Sequence, residues 1–487
     1  MNAMSRIARE AMTSFARATS TREAAGEAAR RASTRARALE CFRRTTTTTT
    51  TGAMAMEANE IARMRTRAVM AMRAMKSANA TRGMTVGAEA ARARTRERAS
   101  DALTRRTRRM FTSTVMPMPS TLVVGGDRAT KQVAWWLAGG CAWVFSMVVI
   151  GGVTRLTRSG LSMTDWKFQY EHPPLSSEDW AREFDKYKQS PEFKKTNLGM
   201  TVEEYKFIYW MEYGHRMWGR VLGLYFVGPL AYFASKGYIT STLAKRLGVF
   251  FILGATQGMI GWWMVKSGLE EQDFSHDCPR VSPYRLATHL TGAFTIYSGM
   301  LWTTLSVINP LSPSQSPEAT KVLIDATKSL HRMVHPLAGL IGITAISGAY
   351  VAGMDAGRAY NTFPLMDGKI IPNEYWAQWE QKGWRNFFEN TAAVQFDHRV
   401  LALTTLTAVS AVWLAHRGSA GLHPQSRMLL HALLATTAGQ VTLGITALLY
   451  HVPVELGSAH QANALALFSV VLALMHSLRG PKRAPRI

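Results

Sequence analysis

Residues 208–233 read IYWMEYGHRMWGRVLGLYFVGPLAYF, and this stretch decides the fold class. It is long enough to cross a bilayer as a helix, which takes about 20 mainly apolar residues. It nevertheless holds Glu212, His215 and Arg216 within five positions. Ionisable side chains inside a membrane span are costly and usually mark function. The stretch therefore predicts a membrane helix that presents polar groups to a site inside a bundle.

Seven other stretches have a similar length and apolar character. Together with 207–234 they lie at 133–153, 247–266, 285–308, 333–353, 394–415, 427–449 and 459–478. A soluble helical protein would need a charged face along each helix, and these stretches lack one. The sequence therefore predicts an all-α polytopic membrane protein with eight transmembrane helices.

The first 120 residues have a different composition. They are rich in Arg, Ala, Ser and Thr, and they hold 24 Lys and Arg against nine Asp and Glu. This composition is typical of a mitochondrial transit peptide, with plain disorder as the alternative. We predict such a leader at 1–111, with a processing site after Phe111, and a matrix segment at 112–132. Much of the formal net charge of +24 lies in this leader and no nucleic-acid-binding motif accompanies it, so we predict no nucleic-acid partner.

Basic residues are concentrated in alternate connections between the spans and at the end of the chain. They are Lys236, Lys245, Arg246, Arg417, Arg427, Arg479, Lys482, Arg483 and Arg486. The connection between the third and fourth spans is instead acidic, with Glu270, Glu271, Asp273 and Asp277. The positive-inside rule then predicts a multi-pass protein of the mitochondrial inner membrane, surrounded by membrane lipid, with both termini in the matrix.

The two halves of the membrane part repeat one pattern. His-Arg opens the second and sixth spans, and a Gln follows 42 residues after each His, at Gln257 and Gln440. Each half contains an even number of spans, so the copies run parallel. We predict two pseudo-symmetric four-helix bundles at 133–308 and 333–478. A matrix linker at 309–332 joins them, and a basic tail at 479–487 follows.

Four histidines lie in even-numbered spans, where they should reach a similar depth near the intermembrane-space face: His215, His289, His398 and His460. Two imidazoles on facing helices can provide both axial ligands of a haem iron. Zinc would need a further converging Cys, His or carboxylate, and copper usually comes with a compact Cys or Met motif. We therefore predict one histidine pair and one haem iron in each half.

The residues beside the first histidine of each half differ in one place. Glu212 stands three residues before His215, whereas Gln395 stands three residues before His398. A carboxylate beside a single haem indicates chemistry in that half, through proton transfer or charge stabilisation. A purely structural glutamate bonded to a loop or to Arg216 is the alternative. Arg216 and Arg399 are candidate partners for haem propionates, or arginines that extend to the membrane interface.

At these residues the chain resembles the mitochondrial form of haem A synthase over about 133–478. The similarity is carried by TRLTRSGLSMTDW (154–166), EYGHRMWGR (212–220), WWMVKSGLEE (262–271), HDCPRVSPYRLATHL (276–290), SGAYVAGMDAGRAYNTFPLM (347–366) and VQFDHRVL (394–401). The resemblance implies an oxidoreductase that converts haem O to haem A, for cytochrome c oxidase, by oxidising the C8 methyl group to a formyl group. The first outer segment, 154–206, lacks the cysteine pair of many bacterial members.

The resemblance also implies the roles of the site residues. A haem b cofactor would lie between His398 and His460, and the substrate haem between His215 and His289, with Glu212 needed for turnover. A ferredoxin-type matrix protein is the expected electron donor. Haem O synthase and cytochrome c oxidase assembly factors are further candidate partners, and a homo-oligomer is left open.

Two other functions fit the paired histidines. A dihaem electron carrier or quinol oxidoreductase of the b type would hold two permanent haems and convert neither. A haem transporter would hand haem on unchanged and would not need Glu212.

Overall fold

Eight long helices follow the predicted spans in a computed structural model, which describes residues 122–167, 172–270, 279–309, 317–419 and 422–479. They are α1 (Gly126–Leu156), α2 (Val202–Ser235), α3 (Ser241–Leu269), α4 (Pro283–Ile308), α5 (Pro317–Gly353), α6 (Thr391–His416), α7 (Pro424–Leu449) and α8 (Val454–Ser477). The predicted leader, its processing site and the basic tail from residue 480 onward lie outside the described residues.

The helices begin earlier than the apolar stretches because their first residues are polar caps. The Thr201 hydroxyl accepts the Glu204 N–H, and the Glu204 carboxylate accepts the Thr201 N–H, so a capping box starts α2. Thr240 and Asn390 cap α3 and α6 with their side chains. Hydropathy detects the apolar centre of a span but not such an end. Helix α5 likewise begins at Pro317, within the segment predicted as a linker.

Six of the eight helices are long and apolar enough to cross a membrane: α1, α3, α5, α6, α7 and α8. Helices α2 and α4 carry more polar and small residues, and both pack against α1. The all-α polytopic fold is confirmed, whereas the count of eight spans remains a prediction.

The helices of the two halves pack in a related pattern. In the first half α1 packs against α2 and α4, and α3 packs against α4. In the second half α5 packs against α6 and α8, and α7 packs against α6 and α8. The division into two separate bundles stays a prediction. Each half has its own buried cluster, around Leu137 and Leu247 in the first and around Leu430 and Leu474 in the second.

The two halves share an apolar seam. The rings of Phe294 on α4 and Phe468 on α8 lie 5.5 Å apart. The hydroxyls of Tyr297 and Ser469 are hydrogen-bonded at 2.8 Å. Because α4 and α8 each carry the second histidine of their half, this seam holds the two sites in a defined relation to each other.

The outer connection between α1 and α2 folds back onto α2. It contains two short helices, Ser177–Lys188 and Pro191–Lys195. The aromatic rings of Trp180, Phe184 and Tyr187 pack against Tyr205 and Tyr209 at the start of α2. This aromatic layer, about one helical turn outward from Glu212 on α2, fixes the segment above the first half.

Candidate functional site

A single cavity of about 1200 Å³ brings the predicted residues together. It is lined by His215 on α2, His289 on α4, His398 on α6 and His460 on α8. Pockets for ordinary small molecules measure about 300–1,000 Å³, so this space suits a larger group. The four histidines that the sequence singled out thus line one cavity, and their division into one pair per half stays a prediction.

The donor set fits haem iron. The Nδ1 atoms of His215, His289 and His460 are buried and have no hydrogen-bond partner among the described residues. All four imidazoles line a large, mainly apolar cavity, and paired imidazole nitrogens are the donors that a bis-histidine haem requires.

Each histidine ring lies against a glycine of a neighbouring helix. A Cβ atom would lie 3.1 Å from the His215 ring at Gly151 and 3.3 Å from the His289 ring at Gly261. It would lie 3.3 Å from the His398 ring at Gly348 and 2.8 Å from the His460 ring at Gly444. The four glycines thus recur with the repeat and leave room for the rings.

The sequence carried a signal for two of these glycines. Gly261 and Gly444 each stand four residues after the repeated glutamines, on the same helix face. The amide of Gln257 donates to the backbone carbonyl of His289, and the amide of Gln440 lies 3.4 Å from His460 Nε2. The matched Gln and Gly positions therefore form the wall behind the second histidine of each half.

Substitution of Gly444 by Ala should displace His460, because the new methyl carbon would lie only 2.8 Å from the imidazole Cε1 atom. We expect the purified Gly444→Ala variant to lose most of its haem, measured by pyridine haemochromogen absorbance per mole of protein. Gly439→Ala is the matched control, since a Cβ there meets nothing within 4 Å. Equal haem content in the two variants would contradict the close fit.

The first histidines of the two halves differ in how they are held. Ser347 donates to the Thr344 carbonyl at 2.8 Å, so its oxygen accepts the Nδ1–H of His398 at 2.7 Å. This bond fixes the tautomer in which His398 Nε2 is free to bind a metal. At the corresponding place beside Gly151 the first half has Ile150, which offers no such acceptor. The second-half histidine is therefore the more rigidly oriented of the two.

Glu212 is buried, with 3% of its surface exposed. Its carboxylate accepts hydrogen bonds from the Ser162 hydroxyl and the Met163 N–H, both at 2.8 Å. The Arg216 guanidinium donates to the other carboxylate oxygen at 2.6 Å. These three donors hold the carboxylate still and stabilise its negative charge. Two of the three donors, Ser162 and Met163, come from the stretch TRLTRSGLSMTDW (154–166).

Gln395 holds the corresponding loop of the second half by donating hydrogen bonds, whereas Glu212 accepts them. Its amide donates to the carbonyls of Ala356 and Ala359, at 2.7 and 2.6 Å. The loop of the first half thus presents hydrogen-bond donors, which a carboxylate accepts. The loop of the second half presents carbonyl acceptors, which need the N–H groups of an amide. The Glu and Gln side chains share a tethering role, and they differ in the charge they leave beside the cavity.

The two arginines that the sequence marked as propionate partners line the cavity. Arg216 also donates to the carbonyls of Met163 and Asp165, both at 3.0 Å. Arg399 donates to Tyr360 at 2.7 Å and to Thr362 at 2.9 Å. The Nε–H of each is buried and without an acceptor in the described parts of the chain. Each arginine therefore fixes a loop and retains a donor for a ligand carboxylate.

Sequence reasoning missed a charged cluster between the halves. Arg155 at the end of α1 donates to the Asp355 carboxylate at 3.1 Å. Arg158 and Arg280 approach the same carboxylate at 3.8 Å, and all of these residues line the cavity. The residues come from three separate connections, so no spacing along the chain indicated that they meet.

Comparison with known proteins gives a consistent result. Residues 134–472 match the family model for COX15-CtaA, a cytochrome oxidase assembly protein. The chain is 57% identical to heme A synthase COX15 of Arabidopsis thaliana, over 74% of this chain and 77% of that protein. It is 45% identical to the Homo sapiens protein of the same name, over 74% and 85%.

A further relative is named as a fusion protein. The heme A synthase-mitochondrial ferredoxin fusion protein of Schizosaccharomyces pombe is 39% identical, over 76% of this chain and 64% of that protein.

Proposed function

This chain belongs to the COX15-CtaA family of cytochrome oxidase assembly proteins, and on that premise we propose how its two histidine pairs divide the work of haem A synthesis. The protein is an oxidoreductase with the activity of a heme A synthase, and it is a multi-pass mitochondrial membrane protein. The single observation that carries the division of roles is that the carboxylate of Glu212 stands one turn from His215, whereas the neutral amide of Gln395 stands at the matching place before His398.

We propose that His398 and His460 hold a resident haem b. The support is the bond between Ser347 and His398, which fixes one tautomer and leaves Nε2 for the iron. A cofactor that stays bound benefits from ligands that are oriented before it arrives. Haem iron would supply one-electron redox chemistry when bound, and the imidazoles of His398 and His460 would hold it.

We propose that His215 and His289 hold the substrate, haem O. Among the described residues no hydroxyl fixes the His215 ring in the way Ser347 fixes His398. A site that must release its product gains from weaker orientation. Glu212 lies one turn from His215 on the same helix face. Its fixed negative charge is placed to stabilise positive charge that develops on the substrate as the C8 methyl group is oxidised.

Two observations support the choice of electron donor: the basic charge of the connections on one side, and the name of one relative. We propose a ferredoxin-type protein on the matrix side, where the basic connections Lys236–Arg246 and Arg417–Arg427 would attract its acidic surface. The name of the Schizosaccharomyces pombe relative, a fusion with a mitochondrial ferredoxin, supports this proposal. The proposed orientation has both termini in the matrix and the sites near the opposite face.

Pigment extraction from the purified protein tests the function. We expect one haem type, haem b, in constant amount per chain, together with O-type and A-type haem in a ratio that depends on turnover. Two invariant haems and no haem A would instead support a dihaem electron carrier. Haem bound and released unchanged would support a transporter.

A further inference from the structure

A second carboxyl group lines the same cavity as Glu212. It belongs to Glu192, on the short helix Pro191–Lys195 of the outer connection. Ser190 caps this helix by accepting the Phe193 N–H at 3.2 Å, and Pro191 occupies its first turn. Glu192 is 6% exposed, although it lies outside the membrane-spanning helices. A buried acid at the outer end of a reaction cavity requires an explanation.

The hydrogen bonds of Glu192 differ from those of Glu212. Among the described residues its carboxyl has one side-chain donor, the Tyr187 hydroxyl at 3.1 Å. That hydroxyl in turn accepts the Asn197 amide at 2.7 Å. No cation contacts Glu192 directly in these ranges of the chain, whereas Glu212 has the Arg216 guanidinium at 2.6 Å. Glu192 therefore lacks a contacting cation that would favour its ionised form.

Charged groups approach Glu192 from several elements. Burial raises the pKa of Glu192 to about 7, and the negative charge of Glu212 on α2 adds to the rise. The Tyr187 hydrogen bond and the positive charges of Arg158 and Arg155, near the end of α1, oppose it. On α3, which packs against the short helix, Lys266 lies 3.4 Å from Glu270 as its own partner. An acid with a pKa near the working pH exchanges protons most readily.

We propose that Glu192 is the proton-exchanging residue of the substrate cavity. The proposal rests on the proposed function, because oxidation of a methyl group to a formyl group changes the number of protons in the cavity. In the exchange the carboxyl O–H bond breaks and its proton passes to an oxygen base in the cavity. The carboxylate then takes a proton from water that enters the cavity, and no electrons move.

The test compares Glu192→Gln with the wild type in the purified holoprotein. Glu178→Gln is the control, since Glu178 is an exposed carboxyl in the same outer segment. We expect Glu192→Gln to keep its haem content, to convert haem O about 10²-fold more slowly and to lose a step near pH 7 in the rate profile. Glu178→Gln should behave as the wild type. A step that persists in Glu192→Gln overturns the proposal.

A second readout does not need turnover. The infrared C=O band of a protonated carboxyl should disappear as the pH rises through about 7 in the wild type and should be missing in Glu192→Gln. A wild type that shows this band but converts no haem O contradicts the proposed function and leaves the assignment of Glu192 intact. A band that titrates in the same way in Glu192→Gln contradicts the assignment.

Tyr187→Phe covers the case in which Glu192→Gln does not fold. It retains the carboxyl and removes the hydroxyl that stabilises the ionised form. The pKa of Glu192 should then rise, and both the rate step and the infrared step should move to higher pH. Steps that stay in place would overturn the proposal.

Discussion

Glu212→Gln should retain the resident haem and lower haem O conversion by about 10²–10³-fold, the typical effect of removing a preorganised charge from a reacting centre. The negative charge beside His215 disappears. The neutral amide has one acceptor oxygen for the three donors that the two carboxylate oxygens share in the wild type. The measurement is haem chromatography after a timed incubation with reductant. Haem O should accumulate while haem b stays at its wild-type amount.

Two controls separate charge from tethering. Ser162→Ala removes one hydrogen bond to Glu212 and leaves its charge, so conversion should fall far less than in Glu212→Gln. Gln395→Glu breaks the tether of the second half, because a carboxylate cannot donate to the Ala356 and Ala359 carbonyls. It should weaken retention of the resident haem. A normal haem A yield from Glu212→Gln would refute the role proposed for this carboxylate.

Much of the fold could be predicted because a membrane span needs a long apolar stretch. Hydropathy therefore located all eight long helices, and the repeat of His and Gln marked equivalent positions in the two halves. The helix starts were less accurate. Helix α2 extends outward to Val202 because Thr201 and Glu204 cap it, and hydropathy does not detect that capping.

The site was predicted in part for a similar reason. Histidines at repeated positions stand out, whereas the roles of Ser347 and Gly151 become visible only when α5 packs against α6 and α1 packs against α2. Glu192 could not be recognised, since its place at the cavity depends on how the outer connection folds over α2. The sequence analysis named a loop or Arg216 as alternative partners of Glu212, and the carboxylate is bonded to both.

His398→Ala should remove the resident haem almost completely and stop conversion, because one of its two axial ligands is lost. His398 is the histidine with a fixed tautomer, and no other histidine in the described residues of α6 lines the cavity. We expect haem O to accumulate at the first-half site. His431→Ala is the matched control, since His431 is an exposed partner of Trp413 outside the cavity. Haem content per chain, from the pyridine haemochromogen, measures the difference.

Low-temperature electron paramagnetic resonance of the oxidised protein tests most directly whether paired imidazoles hold iron in two distinct sites. The wild type should show low-spin ferric haem with two imidazole ligands. The resident-haem component should vanish in His398→Ala and in His460→Ala and should persist in His215→Ala. An unchanged low-spin signal in His398→Ala and His460→Ala, or no such signal in the wild type, would contradict the assignment of the two histidine pairs.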